Sequence, residues 1–216
     1  MDVVIAGGHG QIGRLLARQL AARGDQVRGL IRNPDHVADL ESDRSRPVVC
    51  DLEHASDDEL DEAMAGADAL VFAAGAGPGS GPARKETVDF LGATRLIEAA
   101  RRTGIDRYVM VSAMGTDEPP QDDATFSVYL RAKARADEVL AGAGLDHTIV
   151  RPGRLTDDVP TGRVHLARHV GRAEISRADV ADVLVHVLDE PRTLGHIFEV
   201  VGGETPIDEA IRALVD

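Results

Sequence analysis

Ser112, Tyr129 and Lys133 are the residues of this chain whose types and spacing suit them to act together chemically. Tyr129 and Lys133 stand four apart, which puts them on one face of a helix. A phenol with an ordinary pKa of about 10 is a poor acid–base group near neutrality. An adjacent ammonium favours the phenolate and brings it into working range. Ser112 would then hold a substrate oxygen while Tyr129 exchanges its proton. Lys85 and Lys133 are the two lysines among 24 basic residues, and there are 2 Tyr, so a Tyr-x-x-x-Lys string is informative here.

A second constellation lies at the start of the chain, where Val3 to Ala6 runs into Gly7, Gly8, His9, Gly10, Gln11, Ile12 and Gly13 and then into a helical pattern. Gly7 permits the tight turn, Gly10 lets backbone amides approach a pyrophosphate, and Gly13 lets the helix pack on the strand. The helix N-terminus adds positive potential, so an anion is held without a charged side chain. The next strand ends in Ile31, Arg32, Asn33 and Pro34, with no acid at its tip to accept ribose hydroxyls. Arg32 instead suits a 2′-phosphate, which favours NADP(H) over NAD(H). Asp51 and Leu52, after the third strand, are candidates for the adenine edge, although Asp51 equally suits a turn or cap. Ala73, Ala74 and Gly75 are small enough to let a cofactor ribose lie close to the backbone.

These residues need elements to hold them, and apolar β-branched runs alternate with helical patterns along the chain. Strands are expected at Val3 to Ala6, Gln26 to Ile31, Pro47 to Cys50, Ala69 to Ala73, Arg107 to Ser112 and His147 to Arg151. Helices are expected at Ile12 to Ala22, Asp57 to Ala65, Ala83 to Thr103 and Ser127 to Ala141, while the Gly/Pro-rich stretch Gly75 to Pro82 is irregular. Strand, helix and strand in this order call for an α/β fold with a doubly wound parallel sheet of Rossmann type. Beyond Pro152 the expected elements are a half-exposed strand Gly162 to Ala167, a helix Arg177 to Asp189, a strand His196 to Val201 and a helix Pro206 to Val215. The whole chain, 1–216, reads as one domain, with 154–216 containing the segments that cap the site.

Composition narrows the task. The chain is 43% hydrophobic and 28% charged, which suits a globular core. Aromatics are 3% and the formal net charge is -13, which disfavours base stacking and contact with phosphate backbones, so no nucleic-acid partner is expected. Cys50 is the single cysteine, which excludes an intramolecular disulfide and suits a reducing, cytoplasmic setting. The N-terminus lacks the basic leader of a secretory signal, and no apolar run is long enough to span a bilayer, so a soluble protein without a membrane partner is expected. His165 and His169 stand four apart without a Glu or Cys in a metal pattern, and no metal is expected. Three arginines, two histidines and no acid lie between Val159 and Ala173, which suits either a solvated strand face or an anionic ligand.

The glycine string, Asp51-Leu52, the Ser112, Tyr129 and Lys133 trio and the segment Thr148 to Leu155 (TIVRPGRL) resemble the atypical, Rossmann-type short-chain dehydrogenase/reductases. The likeness extends to Ser176 to Val180 (SRADV) and is greatest for a small NAD(P)H-binding subgroup similar to flavin or biliverdin reductase and to bacterial epimerase/dehydratase proteins. By that resemblance Lys133 also binds the nicotinamide ribose, and Pro152 and Gly153 lie beside the nicotinamide. The Asn that many relatives use after the fourth strand or in the next helix is missing, since Asn33 is the one Asn of the chain. The resulting expectation is an NADP(H)-dependent oxidoreductase moving a hydride to or from a small carbonyl or alcohol, as a monomer or homodimer. The alternatives are an NmrA-like cofactor sensor without catalysis and an epimerase or dehydratase that keeps its cofactor bound.

Overall fold

In the computed structural model, which describes residues 1–77 and 79–215, a nine-stranded sheet runs through the molecule in the order β11-β8-β10-β6-β5-β4-β1-β2-β3. Seven of its strands, β1 (Asp2–Ala6), β2 (Gln26–Ile31), β3 (Arg46–Val49), β4 (Ala69–Phe72), β5 (Arg107–Val111), β6 (Asp146–Pro152) and β10 (His196–Gly202), run parallel to one another. β8 (Arg163–Ala167) pairs antiparallel with β10, and β11 (Thr205–Pro206) antiparallel with β8. This is the mixed α/β, Rossmann-like sheet that the alternating pattern calls for.

Both faces of the sheet are covered, which is why its strands are nearly continuous apolar runs. Val3 and Ile5 enter one core with α1 (Gln11–Ala22), α7 (Arg177–Asp189) and α8 (Ile207–Val215). Val4 and Ala6 enter the other with α3 (Asp57–Met64), α5 (Ala93–Thr103) and α6 (Thr125–Ala141). Each fully buried Val, Ile or Leu contributes about 1.5–3 kcal/mol, so this two-sided burial dominates the stabilisation. Among the described residues no helix is long and apolar enough to cross a membrane.

The structure departs from the sequence reading in three places. The helix expected over 83–103 is interrupted: α4 (Pro82–Arg84) leads into a π-helix, Lys85–Gly92, and then α5. The wider turn directs Lys85 and Asp89 inward together, where both are buried. A 3₁₀ turn Pro34–His36 and a short helix α2 (Val37–Ser42) follow β2, and their brevity hides them from periodicity. The strands β7 (Arg154–Thr156) and β9 (Glu174–Ser176) form a separate parallel pair, again too short for a pattern. Within 154–216, β8, β10 and β11 extend the main sheet and α7 packs on α1. Pro78, within the expected Gly/Pro-rich connection, and Asp216 lie outside the described residues.

Candidate functional site

The glycine loop is built on backbone-to-backbone contact. Gly7 has φ +82, and a Cβ there would come 2.7 Å from the Ala74 Cα. A Cβ on Gly13 would stand 2.4 Å from the Gly7 carbonyl oxygen, which is the helix-to-strand packing expected of it. Gly8 has a reason the sequence reading missed: its Cβ would meet Gly29 of β2 at 2.6 Å, so two glycines let the loop lie on the strand. Gly10 is the N-cap of α1 and has more room, with the Gly7 oxygen 3.0 Å from a built Cβ. Gln11 and Ile12 open the helix, the Gln11 amide donates to Asp157 at 3.4 Å, and the first turn carries no acid to oppose an anion.

At the carboxyl ends of β1 to β4, a cavity of about 300 Å³ is lined by Gly7, His9, Gly10, Arg32, Asp51, Leu52, Ala74 and Gly75 among others, so eight residues expected to bind the cofactor meet there. The Arg32 guanidinium is half exposed and 3.4 Å from Glu53 Oε2, an oxygen that Arg84 already holds at 2.6 Å. Asp51 is spent on its own loop: the Glu53 amide donates to Oδ1 at 3.0 Å, and His54 Nδ1 lies 3.0 Å from Oδ2. Burial acts against its charge, but these partners together hold Asp51 below the usual carboxylate range.

A second cavity, of about 720 Å³, extends from Gly10, Gln11, Ile12 and Ala73 to Lys85, Phe126 and Tyr129. A third, of about 700 Å³, lies beyond it against Ser112, Tyr129, Pro152, Gly153, Met114, Leu130, Leu155 and Arg172. Tyr129 lines both. Gly153 allows the chain at Ala173 to approach, since a Cβ would fall 2.3 Å from the Ala173 carbonyl oxygen.

The trio shares this region, but not through the contacts that spacing suggests. Lys133 is buried and donates to the carbonyls of Val111 at 3.1 Å and Ala74 at 3.3 Å, with Asp89 Oδ1 3.6 Å away. The ammonium over the Tyr129 ring is that of Lys85, 5.5 Å from the centroid, and Lys85 also donates to the Gly77 carbonyl. The Tyr129 phenol is held above its ordinary value, first by burial and then by Asp89 and Asp137, the reverse of the expected lowering. Burial likewise pushes Lys133 down, against the pull of Asp89 and Asp137. Ser112 is buried and donates to Asp137 Oδ2 at 2.9 Å, an oxygen that also accepts from Arg151 Nε at 3.0 Å.

Asp89, Asp137, Arg151, Lys85 and Phe126 are therefore site residues that the sequence reading missed. Lys85 carried a signal, being the second of two lysines; a buried Asp has no local mark among 37 acids. Phe126 is exposed at the mouth of both larger cavities, its ring 5.8 Å from that of Tyr129. Of the basic stretch, Arg172 reaches the third cavity, Arg163 turns to the Glu204 carbonyl, and His169 Nδ1 lies 3.4 Å from Asp117, whose other oxygen takes Arg151.

Comparison with known proteins places this geometry. A match to a family described as NAD(P)H-binding covers residues 7–191. The chain belongs to this NAD(P)H-binding family. An uncharacterised sugar epimerase of Bacillus subtilis is 37% identical over 215 residues, covering 99% of this chain and 100% of the relative. Among solved structures, a Bacillus halodurans protein provisionally named an NAD-dependent epimerase/dehydratase is 36% identical with a TM-score of 0.93, covering 99% of this chain and 100% of that one. An oxidoreductase of Lactococcus lactis is 26% identical with a TM-score of 0.85, covering 99% and 96%. As a member of the NAD(P)H-binding family, the chain offers a dinucleotide a fitting cradle: side-chain-free backbone at Gly7 and Gly10, the amides of the first turn of α1, and small residues at 73–75.

Proposed function

We propose that this protein is an NADP(H)-dependent oxidoreductase that moves a hydride between the nicotinamide and a small carbonyl or alcohol. The observation that carries the reading is the position of Tyr129, which lines both the cavity running from the glycine loop and the more apolar cavity beside Ser112. A phenol at that junction can exchange a proton with a substrate oxygen next to a bound nicotinamide. When bound, the nucleotide supplies or accepts the hydride. Lys133, fixed at the carboxyl ends of β4 and β5, would hold the nicotinamide ribose, and Ser112 would orient the substrate oxygen. Pro152 and Gly153 would border the nicotinamide.

Met114, Phe126, Leu130 and Leu155 favour a substrate with an apolar body, and Arg172 at the rim favours one that also bears an anionic group. A partner of this kind is a small molecule. The net charge of -13 argues against a nucleic acid.

The preference for NADP(H) rests on Arg32, whose neighbour Glu53 is already neutralised by Arg84. Titration should show NADPH binding at least about tenfold tighter than NADH, equivalent to about 1.4 kcal/mol. Arg32→Asp should reverse the order. Equal affinities in the parent would remove Arg32 from the reading. A panel of carbonyl compounds with NADPH then tests for turnover.

A second reading, an NADP(H) sensor without catalysis, is favoured by the Ser112 hydroxyl, which donates to buried Asp137 rather than standing free. A sensor would bind NADPH as tightly and turn over no member of the panel.

A further inference from the structure

Glu199 is a buried carboxylate that the proposed chemistry does not use. It sits in the middle of β10 and is 7% exposed, and among the described residues it has no ion-pair partner. Its Oε2 accepts from the Val170 amide at 2.8 Å, and among the described residues its Oε1 has no hydrogen bond. Arg151, its register partner on β6, is engaged by Asp137 and Asp117, so the neighbouring guanidinium already serves two other carboxylates. A carboxylate buried without a counter-ion is costly. Beside Glu199 stand Asp117, from the connection after β5, and His169, from the connection after β8. One ligand atom of each of the three lies within 4.8 Å of the other two.

We propose that Asp117, His169 and Glu199 bind one divalent transition-metal ion of the zinc class. Two carboxylate oxygens and an imidazole nitrogen are donors that such an ion takes at about 2.0–2.2 Å, whereas Mg²⁺ and Ca²⁺ favour oxygen alone. Ligands at that distance in a tetrahedron stand about 3.4 Å apart. Asp117 Oδ2 and His169 Nδ1 are already 3.4 Å apart. Both side chains are exposed, so their rotation closes the remaining distance to Glu199, which the sheet fixes. Arg151 stays on Asp117 Oδ1 and leaves Oδ2 to the ion, as the Val170 amide leaves Glu199 Oε1. Three protein ligands leave a fourth position to water. The grouping differs from the His165 and His169 spacing of the sequence, because His165 takes no part in it. Met114 and Arg172, close in sequence to Asp117 and His169, line the cavity beside Ser112, so the ion would fasten two walls of that cavity to β10. The site is independent of the nucleotide.

The full chain, stripped with EDTA and dialysed, is to be titrated with Zn²⁺ by calorimetry, beside His169→Ala, Asp117→Asn and Glu199→Gln. The parent should take up one equivalent with a Kd in the micromolar range, and an excess of Mg²⁺ should not compete. Each variant should bind at least about tenfold more weakly, since a lost ligand costs no less than a lost outer partner. Zn²⁺ should also raise the urea midpoint of the parent and leave that of His169→Ala unchanged at the same concentration. His169→Ala removes an exposed side chain, so it decides the matter should the Glu199 variant fail to fold by circular dichroism. Zinc held equally by the parent and His169→Ala sits on other histidines of the chain and overturns the inference. A parent that binds no equivalent below about 100 µM overturns it too, being weaker than about 5.5 kcal/mol of binding. So does a loss in His169→Ala that a folded Glu199→Gln does not share, because the buried carboxylate would then have no part.

Discussion

Under the proposed function Tyr129 would be the residue on which catalysis turns, and its surroundings would make it an acid rather than a base. Burial, Asp89 and Asp137 all oppose a phenolate, so the proton stays on the oxygen at neutral pH, ready for an alkoxide formed by reduction. Tyr108, the other tyrosine, is raised by burial alone. Unfolded chain should therefore show about three-quarters of its tyrosines ionised at pH 10.5, while the folded protein without nucleotide shows little absorbance of tyrosinate. A folded spectrum matching the unfolded one at that pH would contradict the burial of both phenols. Tyr129→Phe keeps the ring, so NADPH affinity should hold while turnover of any substrate found falls about 10²- to 10⁴-fold. Parent-like turnover in steady-state assays would remove Tyr129 from the chemistry. At this scale the sequence showed the trio, because Tyr, Lys and spacing are all local. It did not show that Lys133 answers to Asp89 and Ser112 to Asp137, because those contacts join residues 44 and 25 positions apart.

The elements explain which glycines belong to binding and which to folding. Gly10→Val adds a side chain where a built Cβ meets the Gly7 oxygen at 3.0 Å, a contact that small shifts relieve. It should leave a folded protein that no longer binds NADPH, since the side chain enters the space a pyrophosphate needs. Gly13→Ala puts a methyl 2.4 Å from the same oxygen, with α1 and β1 both fixed by the core. Its cost should be about 1–3 kcal/mol of unfolding free energy, read as a lower urea midpoint with NADPH absent. The reverse pattern, a destabilised Gly10 variant and a stable Gly13 variant, would exchange their roles. The main strands and longer helices were legible because a bounded apolar run suits a strand buried on both faces, and a long helical stripe buries its apolar side only as a helix. The π-helix was not: Ala83 to Thr103 carries a helical pattern throughout, and the extra residue per turn is set by Lys85 and Asp89 finding partners on other elements. The pair β7 and β9 escaped for a different reason, being three residues each and defined by their mutual register.

For the whole molecule, the sheet order follows from alternation and right-handed crossovers, whereas the attachment of β8 and β11 as antiparallel edges depends on contacts that no single segment encodes. The pH dependence of stability is likewise collective. Asp39 is held below its ordinary value by His9, Glu59 by the Ser56 amide, Asp61 by Arg102, Asp122 by Ser127, and Glu190 by Arg192 down to about 2. A carboxyl group lowered on folding contributes stability above its unfolded value, near 4, and loses it as pH falls towards the folded value. Asp137, raised by burial, acts the other way, but it is one group against these five. His186, raised by Asp182, contributes stability that is complete below about 6.5 and is lost as pH rises through its folded value. Above the isoelectric point of 5.0 the molecule also becomes increasingly negative, and that self-repulsion opposes folding. The urea midpoint should therefore be greatest between about pH 5 and 6.5, fall modestly towards pH 8 and fall steeply below about pH 4. Adding about 0.3 M salt should shrink the alkaline loss, because repulsion between separated surface charges is screened over a few ångströms at that strength. A midpoint that holds steady down to pH 3 would mean that these ion pairs and caps contribute nothing to the stability of the fold.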